Sequence, residues 1–143
     1  MKPGRRIAFD YGLVRIGVAV SDASGLIATP VATLQAQDSG LSEQIHALLS
    51  EYDPIYLVVG QPRHLSGKES QTMQSVKTFV ELLQTLSTVP VHTIDERLST
   101  VNAAAKLRSA GHDAKSSKSL IDAMAAVGIL ESAMERERIA GSL

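Results

Sequence analysis

Two short β-branched runs stand close to the start of this chain, separated by a glycine-containing turn. The first is Arg5-Arg6-Ile7-Ala8-Phe9-Asp10-Tyr11-Gly12 and the second runs from Val14 to Asp22. The pattern predicts a β-hairpin. Asp10 sits inside the first run, where an apolar residue is expected. Burying an ionised carboxylate is costly unless it is paired or binds a metal. Asp10 is therefore either a structural ion or a ligand, and any fold for the chain has to account for it.

The chain has 143 residues, enough for one domain with a substantial core. Its apolar share of 44% and charged share of 20% are those of an ordinary globular protein. No apolar run approaches the roughly 20 residues that span a bilayer, and basic Lys2, Arg5 and Arg6 lead into a strand rather than into a signal-peptide core. With no cysteine there is no disulfide, no thiolate nucleophile and no cysteine-based zinc site. A cytoplasmic protein without a membrane partner is expected. The net charge of −1 gives no global pull toward nucleic acid. Glu131, Glu135 and Glu137 crowd the C-terminal end, however, so the body of the chain is more basic than the total suggests.

Beyond the hairpin, Leu26–Leu34 reads as a third strand, with Pro30 marking an edge position or a bulge. Ser42 is a candidate cap for a helix with Ile45, Leu48, Leu49 and Tyr52 on one face. Ile55–Gly60 is a continuous apolar run, as expected of a strand covered on both faces. A loop over Gln61–Glu69 leads to a second helix with Val76, Phe79, Val80, Leu83 and Leu86 in register. Val89–Ile94 is a last short strand. Two helical stretches follow, roughly Ser99–Ala110 and Ser117–Arg138. The order is β-β-β, then α-β-α-β, then helices. A hairpin-rich start joined to right-handed crossovers predicts an α/β fold: a mixed five-stranded sheet with helices on both faces, over 1–143 as one domain. That arrangement is ribonuclease H-like. A Rossmann fold would alternate helix and strand from the beginning.

Three acidic positions stand out by placement: Asp10 in the first strand, Asp95-Glu96 directly after the last, and Asp122 in the apolar helix. In an open α/β sheet, ligands bind at the carboxyl ends of parallel strands. There Asp10 would meet Gly60, with Glu96 nearby, and small Ala125 and Ala126 would let the helix of Asp122 approach the sheet. Converged carboxylates repel unless a cation holds them, and hard oxygen ligands point to Mg²⁺ or Mn²⁺. Two such ions roughly 4 Å apart clamp a phosphodiester for attack by water.

Each acid also has a purely structural reading. Asp10 could be a turn residue paired with Arg15. Asp95-Glu96-Arg97 could be a solvated cluster before a helix capped by Ser99 or Thr100. Ser119-Leu120-Ile121-Asp122 matches a capping box, in which an acid in the first turn is favoured by the helix dipole. His46, His64, His92 and His112 have no metal-ligand spacing. Gly12 and Gly17 lack the strand–GxGxxG–helix context of a dinucleotide site.

The chain resembles the YqgF/RuvX-type family of pre-16S rRNA nucleases and Holliday-junction-resolvase-like proteins. The resemblance is carried by Phe9-Asp10-Tyr11-Gly12 with Arg15-Ile16-Gly17-Val18-Ala19-Val20-Ser21-Asp22, by Val59-Gly60-Gln61-Pro62 with Gly67, by Asp95-Glu96-Arg97-Leu98-Ser99-Thr100 with Ala103, and by Lys118–Leu130. It implies that Asp10, Glu96 and Asp122 are catalytic, metal-binding acids, with Asp95 a supporting partner. Arg97 and Lys118 would face phosphate, and Arg15 and Arg63 would contact the backbone. Gly60-Gln61-Pro62 and Arg63-His64 depart from the family's usual loop, which bears on loop contacts and not on the acids.

The implied activity is metal-assisted phosphodiester hydrolysis at the 5′ end of precursor 16S rRNA in ribosome biogenesis. A four-way DNA junction is the competing substrate. With only 3% aromatic residues the chain offers little for stacking on single strands, so contacts to phosphate are expected to carry binding. A junction's two-fold symmetry suits a dimer, but no feature marks an interface, leaving monomer and homodimer open. Two other classes compete. A phosphotransferase of the actin and sugar-kinase type needs two large domains around its nucleotide, and this length supplies one. An RNA-binding assembly module would keep the scaffold without the chemistry.

Overall fold

The computed structural model describes residues 1–61, 67–95 and 114–143. Its elements are β1 (Arg6–Tyr11), β2 (Arg15–Ser21), β3 (Ala28–Gln35), α1 (Leu41–Tyr52), β4 (Tyr56–Gln61), α2 (Gly67–Leu86), β5 (Val91–Asp95) and α3 (Ala114–Ala140). The helix expected over Ser99–Ala110 lies outside the described residues.

The five strands form one mixed sheet in the order β3-β2-β1-β4-β5. β1 pairs antiparallel with β2, and β2 with β3, while β1–β4 and β4–β5 are parallel. This is the ribonuclease H-like arrangement expected from the element order. Strand alternation sorts the side chains into two cores. Ile7, Phe9, Ile16, Val18, Leu57 and Val59 pack with Ile45 of α1 and Val76, Phe79 and Leu83 of α2. On the opposite face, Ala8, Ala19, Tyr56, Val58 and Ile94 pack with Ala126, Ile129, Leu130, Ala133 and Met134 of α3. The central strands thus bury both faces, as their unbroken apolar runs require.

Several boundaries differ from the expected ones for local reasons. Pro30 lies on β3, an edge strand, and the β2–β3 register shifts at Val18/Ala19, where the partners step from Ala32 to Pro30. The missing proline N–H is thus accommodated both by the edge and by a bulge. Ser42 is not the cap of α1. The helix opens after Gly40 with no side-chain cap, and the Gly40 N–H donates to Asp38 Oδ1 at 2.7 Å. Asp53, in the left-handed region at φ 45°, closes α1 immediately before Pro54. β5 extends to include Asp95, and α2 begins at Gly67 rather than beyond Glu69.

One buried polar cluster ties α3 to the amino end of β1. Arg6 is fully buried, and its Nε and one terminal nitrogen donate to the two carboxylate oxygens of Glu137 at 3.1 and 2.9 Å. The Tyr56 hydroxyl donates to the same carboxylate at 2.9 Å. Arg6 and Tyr56 are cross-strand partners, so β1 and β4 present both donors side by side. The guanidinium also donates to the carbonyls of Gly4 and Lys2. Burial opposes ionisation of Glu137, but the Arg6 and Tyr56 hydrogen bonds and the Arg6 charge outweigh it and hold the carboxyl below its ordinary value. Burial pushes the Tyr56 phenol up, and its bond to Glu137 pushes it further.

Candidate active site

The carboxyl ends of β1, β4 and β5 and the start of antiparallel β2 lie at one end of the sheet. Asp10 is inside β1 and is half-buried. It is no turn residue, because it pairs across the ladder with Gly17 of β2. Asp10 shares its face with Ala8, the face that α3 covers.

Gly17 sets how closely α3 covers that face. A Cβ built there would run into the backbone carbonyl of Asp122 and the amide of Ala123. The backbone of α3 therefore rests directly on β2, and only glycine permits it. Ala126 and Ile129 continue the packing of the helix on the sheet, and Ala125 is buried as well. Asp10, Gly17 and Asp122 consequently adjoin one another from strand to strand to helix. The capping-box reading of Asp122 is overturned, since α3 starts at Ala114 and Asp122 is its ninth residue. This acid stands well inside the helix, away from the free amides of the first turn.

Arg15 opens β2, and its Nε donates to Asp122 Oδ2 at 2.5 Å. The pair is partly open to solvent, with side-chain exposures of 36% for Arg15 and 23% for Asp122. The backbone on the Arg15 side is fixed as well, because its carbonyl accepts from the Gly12 N–H at 2.9 Å. Sequence reasoning assigned Arg15 to nucleic acid or to Asp10. The structure gives it Asp122 as its ion-pair partner.

Asp95 ends β5 opposite Gln61, one strand beyond β4. Alternation places it with Val91 and Thr93, on the other strand face from Ile94. On that α2 side a cavity of about 350 Å³ opens between Gln61, Met73, Val76, Lys77, Val80 and Thr93. Lys118 lies on α3. Glu96, Arg63 and Arg97 lie outside the described residues.

Asp10 and Asp122 bring two oxygen donors to one face, a donor chemistry that suits a hard divalent cation. Among the described residues no group of three His, Cys, Asp or Glu side chains gathers around one point. A third oxygen ligand would have to come from another segment. Gly17 is the residue that sequence reasoning undervalued. Its signal was a glycine inside a β-branched strand, which marks a close backbone approach.

Fold and site together define a ribonuclease H-like protein with carboxylates at the carboxyl end of its central strand. The chain matches the RuvX Holliday junction resolvase family over residues 4–136 and belongs to that family, whose members are phosphodiester-hydrolysing enzymes. It is 44% identical over 143 residues to a Streptomyces coelicolor protein named "Putative pre-16S rRNA nuclease", covering 99% of this chain and 86% of that protein. A Clavibacter michiganensis subsp. michiganensis protein of the same name is 44% identical over 144 residues, covering 99% and 89%. Among solved structures, Thermus thermophilus RuvC in complex with a Holliday junction substrate superposes with a TM-score of 0.60 at 16% identity, covering 96% of each chain. That likeness carries the fold. Among the described residues no helix is long and apolar enough to cross a membrane.

Proposed function

We propose that this protein is a metal-dependent endonuclease of the cytoplasm that processes the 5′ end of precursor 16S rRNA in ribosome biogenesis. The observation that carries the reading is that Gly17, the cross-strand partner of Asp10, lies against the α3 backbone at Asp122, in a chain whose relatives are named as pre-16S rRNA nucleases. Asp10, Asp122 and Glu96 are the residues that would hold Mg²⁺ or Mn²⁺, with Asp95 in support. When bound, such a pair of ions supplies a nucleophilic water at neutral pH and stabilises the leaving oxygen.

The chain's own residues do the rest. Asp10 and Asp122 hold negative charge at fixed positions on β1 and α3, so that no rearrangement is needed at the moment of reaction. Arg15, Arg63, Arg97 and Lys118 neutralise backbone phosphates and set the register of the strand being cut. Phosphate contacts make binding fall steeply with salt.

A second reading takes a four-way DNA junction as substrate, with the same acids. It is favoured by the family's description as Holliday junction resolvases and by the RuvC fold. The chain would then act as a homodimer matching the junction's symmetry, whereas rRNA processing suits a monomer equally well.

The test is cleavage of a precursor 16S rRNA 5′ fragment beside a four-way DNA junction, with Mg²⁺, Mn²⁺ or EDTA. Cleavage is expected with metal, to vanish in EDTA, and to fall at least about a hundredfold in Asp10→Asn, the loss of one aligned transition-state contact. The preferred substrate chooses between the two readings. Equal binding by wild type and variant with no cutting of either substrate would replace both with an assembly module.

A further inference from the structure

We propose that Arg15 couples cation loading to phosphate capture. It serves as the counter-ion of Asp122 until a divalent cation takes that carboxylate, and is then released to a substrate phosphate. This rests on reading Asp10 and Asp122 as cation ligands.

The geometry gives Arg15 and a cation the same target. Arg15 Nε donates to Asp122 Oδ2 at 2.5 Å. A divalent ion of the Mg²⁺ class binds carboxylate oxygen at about 2.0–2.1 Å. Sharing this one carboxylate sets a guanidinium cation close beside a divalent one, and their mutual repulsion makes the two compete.

The backbone on both sides is fixed, which leaves the side chain as the part that moves. Gly17 rests on the Asp122 carbonyl, and the Arg15 carbonyl accepts from Gly12. The Arg15 side chain is 36% exposed, so rotation into solvent does not break a core. A released guanidinium keeps its charge and presents the planar fork that matches phosphate oxygens. It would do so at the rim of the same carboxylate pair, where a scissile phosphate must lie. Binding linkage is reciprocal, so a cation that frees Arg15 strengthens nucleic-acid binding, and nucleic acid strengthens cation binding by the same factor.

This scheme predicts a sign opposite to that of a merely structural Arg15. If Arg15 only held Asp122 in place, removing it would weaken cation binding. As a competitor, its removal strengthens it. Calorimetric titration of the full chain with Mn²⁺, without nucleic acid, is expected to give about fivefold or tighter binding in Arg15→Gln than in wild type, at the lower end of ordinary coupling. Unchanged or weaker Mn²⁺ binding in Arg15→Gln overturns the proposal.

The second arm uses no metal. Fluorescence anisotropy in EDTA, with a labelled precursor 16S rRNA fragment, compares wild type, Asp122→Asn, Arg15→Gln and the double variant. Asp122→Asn frees Arg15 and is expected to tighten RNA binding several-fold, by more than the same substitution does on the Arg15→Gln background. An equal gain on both backgrounds also overturns the proposal, because it leaves only the lost carboxylate charge at work. The underlying site reading fails separately, if Asp10→Asn leaves the wild-type Mn²⁺ isotherm unchanged.

Discussion

Two arginine–carboxylate pairs hold the same helix to the same sheet, and they are built differently. At the amino end of β1, Arg6 and Glu137 meet with side-chain exposures of 0% and 6%. At the carboxyl end, Arg15 and Asp122 meet at 36% and 23%. Asp122 and Glu137 are about 22 Å apart along α3, at about 1.5 Å per residue. The buried pair is bidentate, and Tyr56 and two backbone carbonyls complete its hydrogen bonding. Desolvated charges are tolerated only when so fully satisfied. The open pair rests on one guanidinium nitrogen and one oxygen. Identical chemistry therefore seals one end of the helix into the core and leaves the other end open to solvent. What separates the two ends is solvent access and the number of partners.

The sharpest way to break this comparison is to strike the buried pair. Glu137→Gln leaves the Arg6 charge without its counter-charge in the core, and should cost about 3–5 kcal/mol of stability. Urea unfolding checks it through a lower midpoint at constant slope. The double variant Arg6→Met with Glu137→Leu should be less destabilised than Glu137→Gln alone, since no charge is then left behind. Acid adds a signature. Because the folded state holds Glu137 below its ordinary value of 4.5, its contribution is present above that pH and is lost as pH falls below it. Glu137→Gln should erase this part of the acid slope. An unchanged slope would mean that the pair is no fastener.

Gly17→Ala sits between the two ends in magnitude. The added methyl meets backbone of α3, at the Asp122 carbonyl and the Ala123 amide, not a side chain that could turn aside. Overpacking of this kind costs about 1–3 kcal/mol. The effect should also be local, because the Glu137 fastener remains while the Asp122 end lifts from Asp10. Mn²⁺ titration is then expected to show weaker binding in a variant that still folds. Intact Mn²⁺ binding would show that the close approach does not set the carboxylate pair.

The ribonuclease H-like sheet was legible because its period-2 hairpin and its apolar β4 run leave few alternatives. Pro30 even marked its own edge and bulge. Asp10 was legible as an anomaly, a carboxylate where an apolar residue belonged. Asp122 was ambiguous because Ser119 three residues earlier mimics a capping box, and nothing local reveals that α3 starts at Ala114. The partners were the least legible. Arg6 and Glu137 read as an N-terminal basic cluster and an acidic tail, 131 positions apart. Only the sheet order and the direction of α3 bring them together. Arg15 and Asp122 are likewise joined by tertiary packing, at a sequence separation of 107. Short-range pattern carries elements and anomalies, whereas long-range ion pairs need the topology.

The smallest expected effect is the most telling for the site. Arg15→Gln removes an ion pair as short as any at the buried end, yet it should change stability by only about 0–1 kcal/mol, as exposed pairs do. Water reaches both partners and takes over their solvation once they separate. That change should also shrink as ionic strength rises, because screening already weakens the pair in wild type. Urea midpoints of wild type and Arg15→Gln at low and high salt measure both statements. A loss as large as that of Glu137→Gln, insensitive to salt, would make Arg15 a second fastener and would leave Asp122 committed to it. A small, salt-dependent loss leaves Asp122 held in place by Gly17 and the α3 backbone, with its carboxylate free to exchange partners.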